Sequence, residues 1–193
     1  MRTGLAALLG ILPALILLPV GRPARGAEPS APPGFNVYLV RQAGGRSFWR
    51  GGAPTQATLA ALAAAARRRN APITFIDLRT PPNRDDRSGK GGRLSPTQEQ
   101  QRVRELGYRY LALSALDPAL PARVEAASRE GDVYLHCMYG VNRTGFAVGR
   151  WAHAVGVSVG RTGLGERDWR QGVAHERARR AARAAGERRK AGD

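Results

Sequence analysis

The sequence predicts an α/β fold, a single domain with a largely parallel central sheet flanked by helices. Three observations point there. Ile73-Thr74-Phe75-Ile76 and Val133-Tyr134-Leu135 are short uncharged runs, as expected of strands buried on both faces. Ala-rich stretches of helical length lie between such runs, and that alternation argues parallel pairing through crossovers. Turn residues mark each change of element: Gly51-Gly52-Ala53-Pro54, Ser95-Pro96, Asp117-Pro118 and Gly131-Asp132.

Residues 1–26 begin with Met1-Arg2, stay apolar and uncharged from Leu5 to Val20, and end on Ala24-Arg25-Gly26. That is the pattern of a secretory signal peptide. The rival is a membrane anchor. The run falls short of the ~20 apolar residues a span needs, and Pro13 and Pro19 interrupt it. Cleavage is favoured, and either outcome exports the domain to the periplasm or beyond. Residues 27–34 read as a linker, 35–174 as the folded domain and 175–193 as a basic tail.

Within the domain, Asn36–Val40 and Ser47–Arg50 are the first two strands. A helix follows from Thr55 to Arg69, with Leu59 and Leu62 on its apolar face. Ile73–Arg79 is the clearest strand besides the one before Cys137. The long loop from Thr80 to Leu94 carries Arg84, Arg87, Lys90 and Arg93. It leaves the C-terminal edge of the sheet, where α/β folds bind ligands. Ser95 caps a helix with Pro96 in its first turn, ending near Leu106-Gly107. Tyr108–Leu113 is the next strand, and a short helix from Pro121 to Glu130 leads to Val133–Leu135. Phe146–Val155 is a helix. Trp169 docks a last helix on the core, and from His175 onward Ala, Arg and Glu leave almost no apolar stripe, so a frayed or solvated helix is expected.

Composition narrows the function classes. Thirty-one Lys and Arg stand against 15 Asp and Glu, a formal charge of +16. The excess suits an anionic substrate or surface, although general enrichment in Ala, Gly, Pro and Arg accounts for it equally well. The Arg-rich tail is a candidate contact for nucleic acid, another anionic polymer or a lipid surface. Cys137 is the single cysteine, so no internal disulfide forms and the core must hold the fold. Cysteine and histidine do not cluster at zinc spacing. Neither a metal nor a cofactor is expected.

The stretch that carries chemistry is His136-Cys137-Met138-Tyr139-Gly140-Val141-Asn142-Arg143-Thr144-Gly145. It joins a strand to a helix, where backbone N–H groups and the helix N-terminus favour an anion. Arg143, six positions after Cys137, can grip two phosphoryl oxygens with its rigid fork. The same positive surroundings favour the thiolate of Cys137, the nucleophilic form. Gly140 permits close backbone approach to the anion, and Gly145 permits tight packing of the helix start. A buried inert cysteine beside a helix-capping arginine is the alternative, but it leaves the register of His, Cys, Gly, Arg, Thr and Gly unexplained.

These ten residues resemble the H-C-x5-R-[S/T]-G loop of the cysteine-dependent protein tyrosine and dual-specificity phosphatases. The resemblance implies a compact, dual-specificity-phosphatase-like fold and a phosphorylated protein or small phosphoester as substrate. It implies that Cys137 attacks phosphorus to form phosphocysteine, without metal. The amides from Met138 through Tyr139, Gly140, Val141 and Asn142 to Arg143, with the Arg143 side chain, would bind the equatorial oxygens. Thr144 would donate its hydroxyl to the sulfur, and His136 would be a scaffold hydrogen-bonded to loop backbone. The family's general acid is an upstream Asp. Asp117, after the strand Tyr108–Leu113, is the first candidate, with Asp85 and Asp86 in reserve and a turn-capping Asp as the rival reading. Asp77-Leu78-Arg79 and the segment Trp49-Arg50-Gly51 also resemble family segments, Arg79 serving either the loop or a structural pair with Asp77. Met138, Tyr139, Val141 and Asn142 bring no lysine, which weighs against phosphoinositides. Gly140–Gly145 is similar to the loop of RNA 5′-triphosphatases of the superfamily, a substrate class at odds with export. Outside the enzyme class, the same residues would suit a non-catalytic phosphate-binding module or a basic binder of anionic polymers.

Overall fold

A computed structural model describes residues 33–34, 36–79, 90–159 and 166–192. The expected leader, most of the linker, and Asp85 and Asp86 lie outside these residues. Five strands, β1 (Tyr38–Ala43), β2 (Arg46–Gly51), β3 (Ile73–Asp77), β4 (Arg109–Ala112) and β5 (Asp132–His136), form one sheet in the order β1-β2-β5-β3-β4. Only the β1–β2 pair is antiparallel; β5 lies parallel between β2 and β3, and β4 pairs parallel with β3. The C-terminal ends of β2, β3, β4 and β5 therefore share one edge. The helices are α1 (Gln56–Arg68), α2 (Pro96–Glu105), α3 (Leu120–Glu130), α4 (Asn142–Val155) and α5 (Glu166–Gly192). All described residues belong to one compact unit, Ala31–Asp193. Among them, no helix is long and apolar enough to cross a membrane.

Helices cover both faces of the sheet, which is why the central strands carry no alternating polar residues. On one face Val133, Leu135, Phe48 and Ile76 pack with Leu120 and Val124 of α3 and with Val148 and Trp151 of α4. The rings of Phe48 and Trp151 meet edge to face at 4.7 Å. On the other face Tyr134, Phe75, Ile73 and Trp49 pack against Leu59, Leu62 and Ala66 of α1 and Val103 of α2. Helix α2 begins on a capping box: Ser95 Oγ accepts from the Gln98 amide, and Gln98 Oε1 accepts from the Ser95 amide.

Two elements differ from the sequence reading. Strand β1 continues past Val40 to Ala43 and turns through Gly44 and Gly45, both at positive φ (58° and 76°), into β2. Arg41, Gln42 and Ala43 are exposed. Ladder pairing rather than burial holds them, so hydropathy gave no sign of them. At the other end, α5 passes through residue 175 without a break. A Cβ on Gly149 would lie 2.2 Å from the Trp169 carbonyl oxygen, and one on Gly172 would lie 2.1 Å from that of Phe146. Glycine at both positions thus lets α4 and α5 approach closely. Glu176, inside the expected solvated tail, is fully buried. Around Glu176 the helix still shows an outer side, with His175, Arg177 and Ala178 exposed, and residues 180–187 are exposed without interruption.

Candidate active site

Strand β5 delivers His136 and then Cys137 to the C-terminal edge, where Leu78 N donates to His136 O at 2.8 Å. Cys137 is 5% exposed. The loop that follows is held from outside through successive carbonyls. Ala53 N donates to Met138 O (3.1 Å), Asn36 Nδ2 to Tyr139 O (2.8 Å) and Arg50 Nη2 to Gly140 O (2.6 Å). In a trans peptide the N–H points opposite to the C=O. The amides of Tyr139, Gly140 and Val141 are thereby turned away from those outer donors. Gly140 sits at φ 70°, and a Cβ there would meet the Gly51 carbonyl carbon at 2.4 Å. The loop's path against Gly51-Gly52 thus admits no side chain at this position.

Arg143 lies in the first turn of α4, half-buried, and Nη1 donates to Leu78 O at the end of β3 (3.2 Å). Met138 is buried, and Tyr139 is 43% exposed with the Arg93 guanidinium 5.3 Å over its ring. Asn142 donates to Asp168 Oδ1 at 3.3 Å. Gly145 N bonds Val141 O at 2.7 Å, closing the first helical turn. Thr144 is fully buried, and its Oγ1 finds no hydrogen-bond partner among the described residues. The hydroxyl-to-sulfur bond expected of it is not formed here. Arg50 lies fully buried beneath the loop, a position that its place in a strand did not foretell. Burial draws its guanidinium below the usual arginine pKa, and the nearby Cys137 sulfur opposes that shift by favouring the cation.

His136 departs from its expected role. Its ring stacks on Tyr134 and its Nε2 pairs with Glu99 Oε1 of α2 at 2.8 Å, so it faces a helix and not the loop backbone. Glu99 also binds Arg79, which forks onto Asp77 through Nε and Nη2 (2.8–3.0 Å) and donates to Leu94 O. Tyr110 Oη donates to the same Asp77 carboxylate at 2.7 Å. Arg79 is therefore the structural partner of Asp77. Donor atoms of Asp77, Glu99 and His136 lie within 4.8 Å of one another. A cation already binds both carboxylates, namely the Arg79 guanidinium. The strand spacing of Asp77 and Arg79 was a usable sign of this network. Glu99, one more acid on an amphipathic helix, gave none.

This network has a pH consequence. Burial pushes the Asp77 carboxyl up, but His136 and the Arg79 guanidinium outweigh it and hold the group below its usual value. A depressed carboxyl stabilises the fold above its unfolded pKa of about 3.9 and stops doing so as pH falls through the folded value. Urea midpoints should fall steadily as pH drops from about 5 to 3. The fall should be shallower in Asp77→Asn, which lacks the titrating group. Equal slopes in the two proteins would contradict this.

Asp117 lies on the connection from β4 to α3. Leu113 N donates to Asp77 O (3.0 Å), joining its start to the end of β3 at the shared edge. The half-buried Asp117 side chain caps its own turn: Oδ1 accepts from Ala119 N at 2.8 Å, and Oδ2 is 3.6 Å from Arg123 Nη1. Its backbone is gripped from below, because Arg150 Nη1 donates to both Ala115 O (2.7 Å) and Asp117 O (2.9 Å).

No family model matches the chain, and no curated protein does. Among solved structures it is similar to TpbA of P. aeruginosa, at 22% identity over 75% of this chain and 84% of that one, with a TM-score of 0.46. TpbA in complex with pTyr aligns at 20% identity over 71% of this chain and 87% of that one, TM-score 0.43. PTPMT1 aligns at 14% identity over 76% of this chain and 99% of that one, TM-score 0.44. It is also similar to a putative phosphatase (DUF442) of Shewanella putrefaciens, at 13% identity over 74% of this chain and 91% of that one, TM-score 0.48.

Proposed function

We propose that this protein is an exported, cysteine-dependent phosphatase that hydrolyses phosphate monoesters of the phosphotyrosine or small-phosphoester type. The observation that carries the reading is the outward fastening of the Met138, Tyr139 and Gly140 carbonyls beside Cys137 and Arg143. A loop held that way keeps amide donors fixed for an anion before one arrives, so stabilising transition-state charge costs no reorganisation. Export rests on the leader-like residues 1–26.

In the reaction, the Cys137 sulfur attacks phosphorus in line while the ester oxygen leaves, forming phosphocysteine. Loop amides and the Arg143 fork hold the three equatorial oxygens. Asp117, released from its loose contact with Arg123, gives the leaving oxygen its proton. It then takes a proton from the water that hydrolyses phosphocysteine, and the thiolate departs. Purified protein should hydrolyse an aryl phosphate in the presence of EDTA and be inhibited by vanadate, with stoichiometric release of inorganic phosphate. Tight phosphate binding without any release would select the binding module instead.

A further inference from the structure

We propose that the C-terminal helix sets the position of the acid loop: Glu176 of α5 fixes Arg150 of α4, and Arg150 holds the loop backbone at Ala115 and Asp117. The inference rests on the phosphatase reading, with Asp117 as its proton donor. It makes Arg150 and Glu176 positioning residues, and it brings α5 into the catalytic apparatus.

Arg150 stands seven residues beyond Arg143, two helical turns along α4, and it is fully buried. Arginine is almost never buried to that extent unless paired. Here one nitrogen, Nη1, donates to two carbonyls of the same loop at 2.7 and 2.9 Å. Nε donates to Glu176 Oε2 at 3.2 Å, and Glu176, also fully buried, accepts from Arg179 at 2.6 Å. Two charges are thus taken out of water inside an apolar layer. Apolar side chains of the same volume would fill that space without the desolvation cost, so a buried ion pair is poor evidence of stabilisation alone. What the guanidinium adds is direction, since only a donor can hold two loop carbonyls.

The carbonyls it holds flank Leu116, whose side chain is 65% exposed. The rest of the loop is tied by its own short turns, from Asp117 N to Ser114 O and from Leu120 N to Asp117 O. Arg150 accordingly adds a hydrogen-bonded link between this loop and α4, the helix that carries Arg143 in its first turn, beside the apolar packing of Leu113 and Leu120. Fixing the Asp117 carbonyl fixes its Cα, leaving side-chain torsion as the freedom its carboxyl needs to move between the Ala119 cap and a substrate. Preorganisation of that kind spares the entropy of ordering the loop in each turnover. Glu176 keeps the guanidinium from turning away, because its carboxylate holds Nε while Nη1 holds the loop.

The test is a double variant, Arg150→Met with Glu176→Leu, which removes both charges and keeps apolar volume. Its kcat/KM is compared with wild type and Asp117→Asn on an aryl phosphate with a good leaving group and an alkyl phosphate with a poor one. The double variant should lose at least about tenfold more on the poor leaving group, and adding Asp117→Asn should cost little more, as expected of groups acting through one another. Equal losses on both substrates, or full additivity with Asp117→Asn, would overturn the proposal. Hydrogen exchange of the amides in residues 113–119 reads the clamp without turnover. Faster exchange is expected in the double variant, and unchanged protection would overturn the clamp even if no phosphatase activity were found. Absence of turnover in wild type would instead strike the phosphatase reading. Should the double variant not fold, Arg150→Lys keeps the charge for Glu176 but lacks the fork; the same leaving-group bias is expected, and its absence counts against the proposal.

Discussion

Replacing Cys137 by serine is expected to lower kcat on an aryl phosphate by about 10⁴-fold or more, while phosphate binding stays within about tenfold of wild type. Serine fills the same space, so the carbonyl fastenings at Met138, Tyr139 and Gly140 persist and the amide donors stay in place. The substitution therefore isolates chemistry from binding. What is lost is a sulfur that ionises and leaves far more readily than an alkoxide. Steady-state turnover with calorimetric phosphate binding distinguishes the outcomes. Residual activity above a tenth of wild type would remove Cys137 from the nucleophile's role.

Arg143→Lys is expected to lose about 10³-fold in kcat/KM, most of it in kcat, although the positive charge is retained. Lysine supplies a point charge where a planar fork matches two equatorial oxygens, and the mismatch grows as charge spreads in the transition state. The side chain also ties α4 to the end of β3 through Leu78 O. Hence part of any loss must be tested for structure. An unchanged urea midpoint with a large fall in kcat assigns the effect to the reaction; a parallel fall in both would assign it to the fold.

Much of the architecture was legible in the residues because it depends on neighbours along the chain. Uncharged runs marked β3 and β5, and Ser95-Pro96 marked the start of α2. The loop pattern from His136 to Gly145 was legible for the same reason: a strand end, a turn glycine and a helix start are local events. Where hydropathy was the guide, it failed on segments stabilised otherwise. Arg41–Ala43 is strand by pairing alone. Glycine contacts dock the first turns of α5, and Glu176, which hydropathy placed in water, is buried, whereas residues 180–187 form the exposed helix that the missing apolar stripe led one to expect.

By itself the sequence determined the order of strands and helices and the chemical content of one loop, since both follow from periodicity and from residues adjacent in the chain. Tertiary structure alone decided which charges left water. Arg50 under the loop, Glu99 on His136 and Glu176 on Arg150 each pair with a residue between 26 and 91 positions away. A charged side chain looks solvated until a distant segment supplies its partner, and only the folded chain brings the two together.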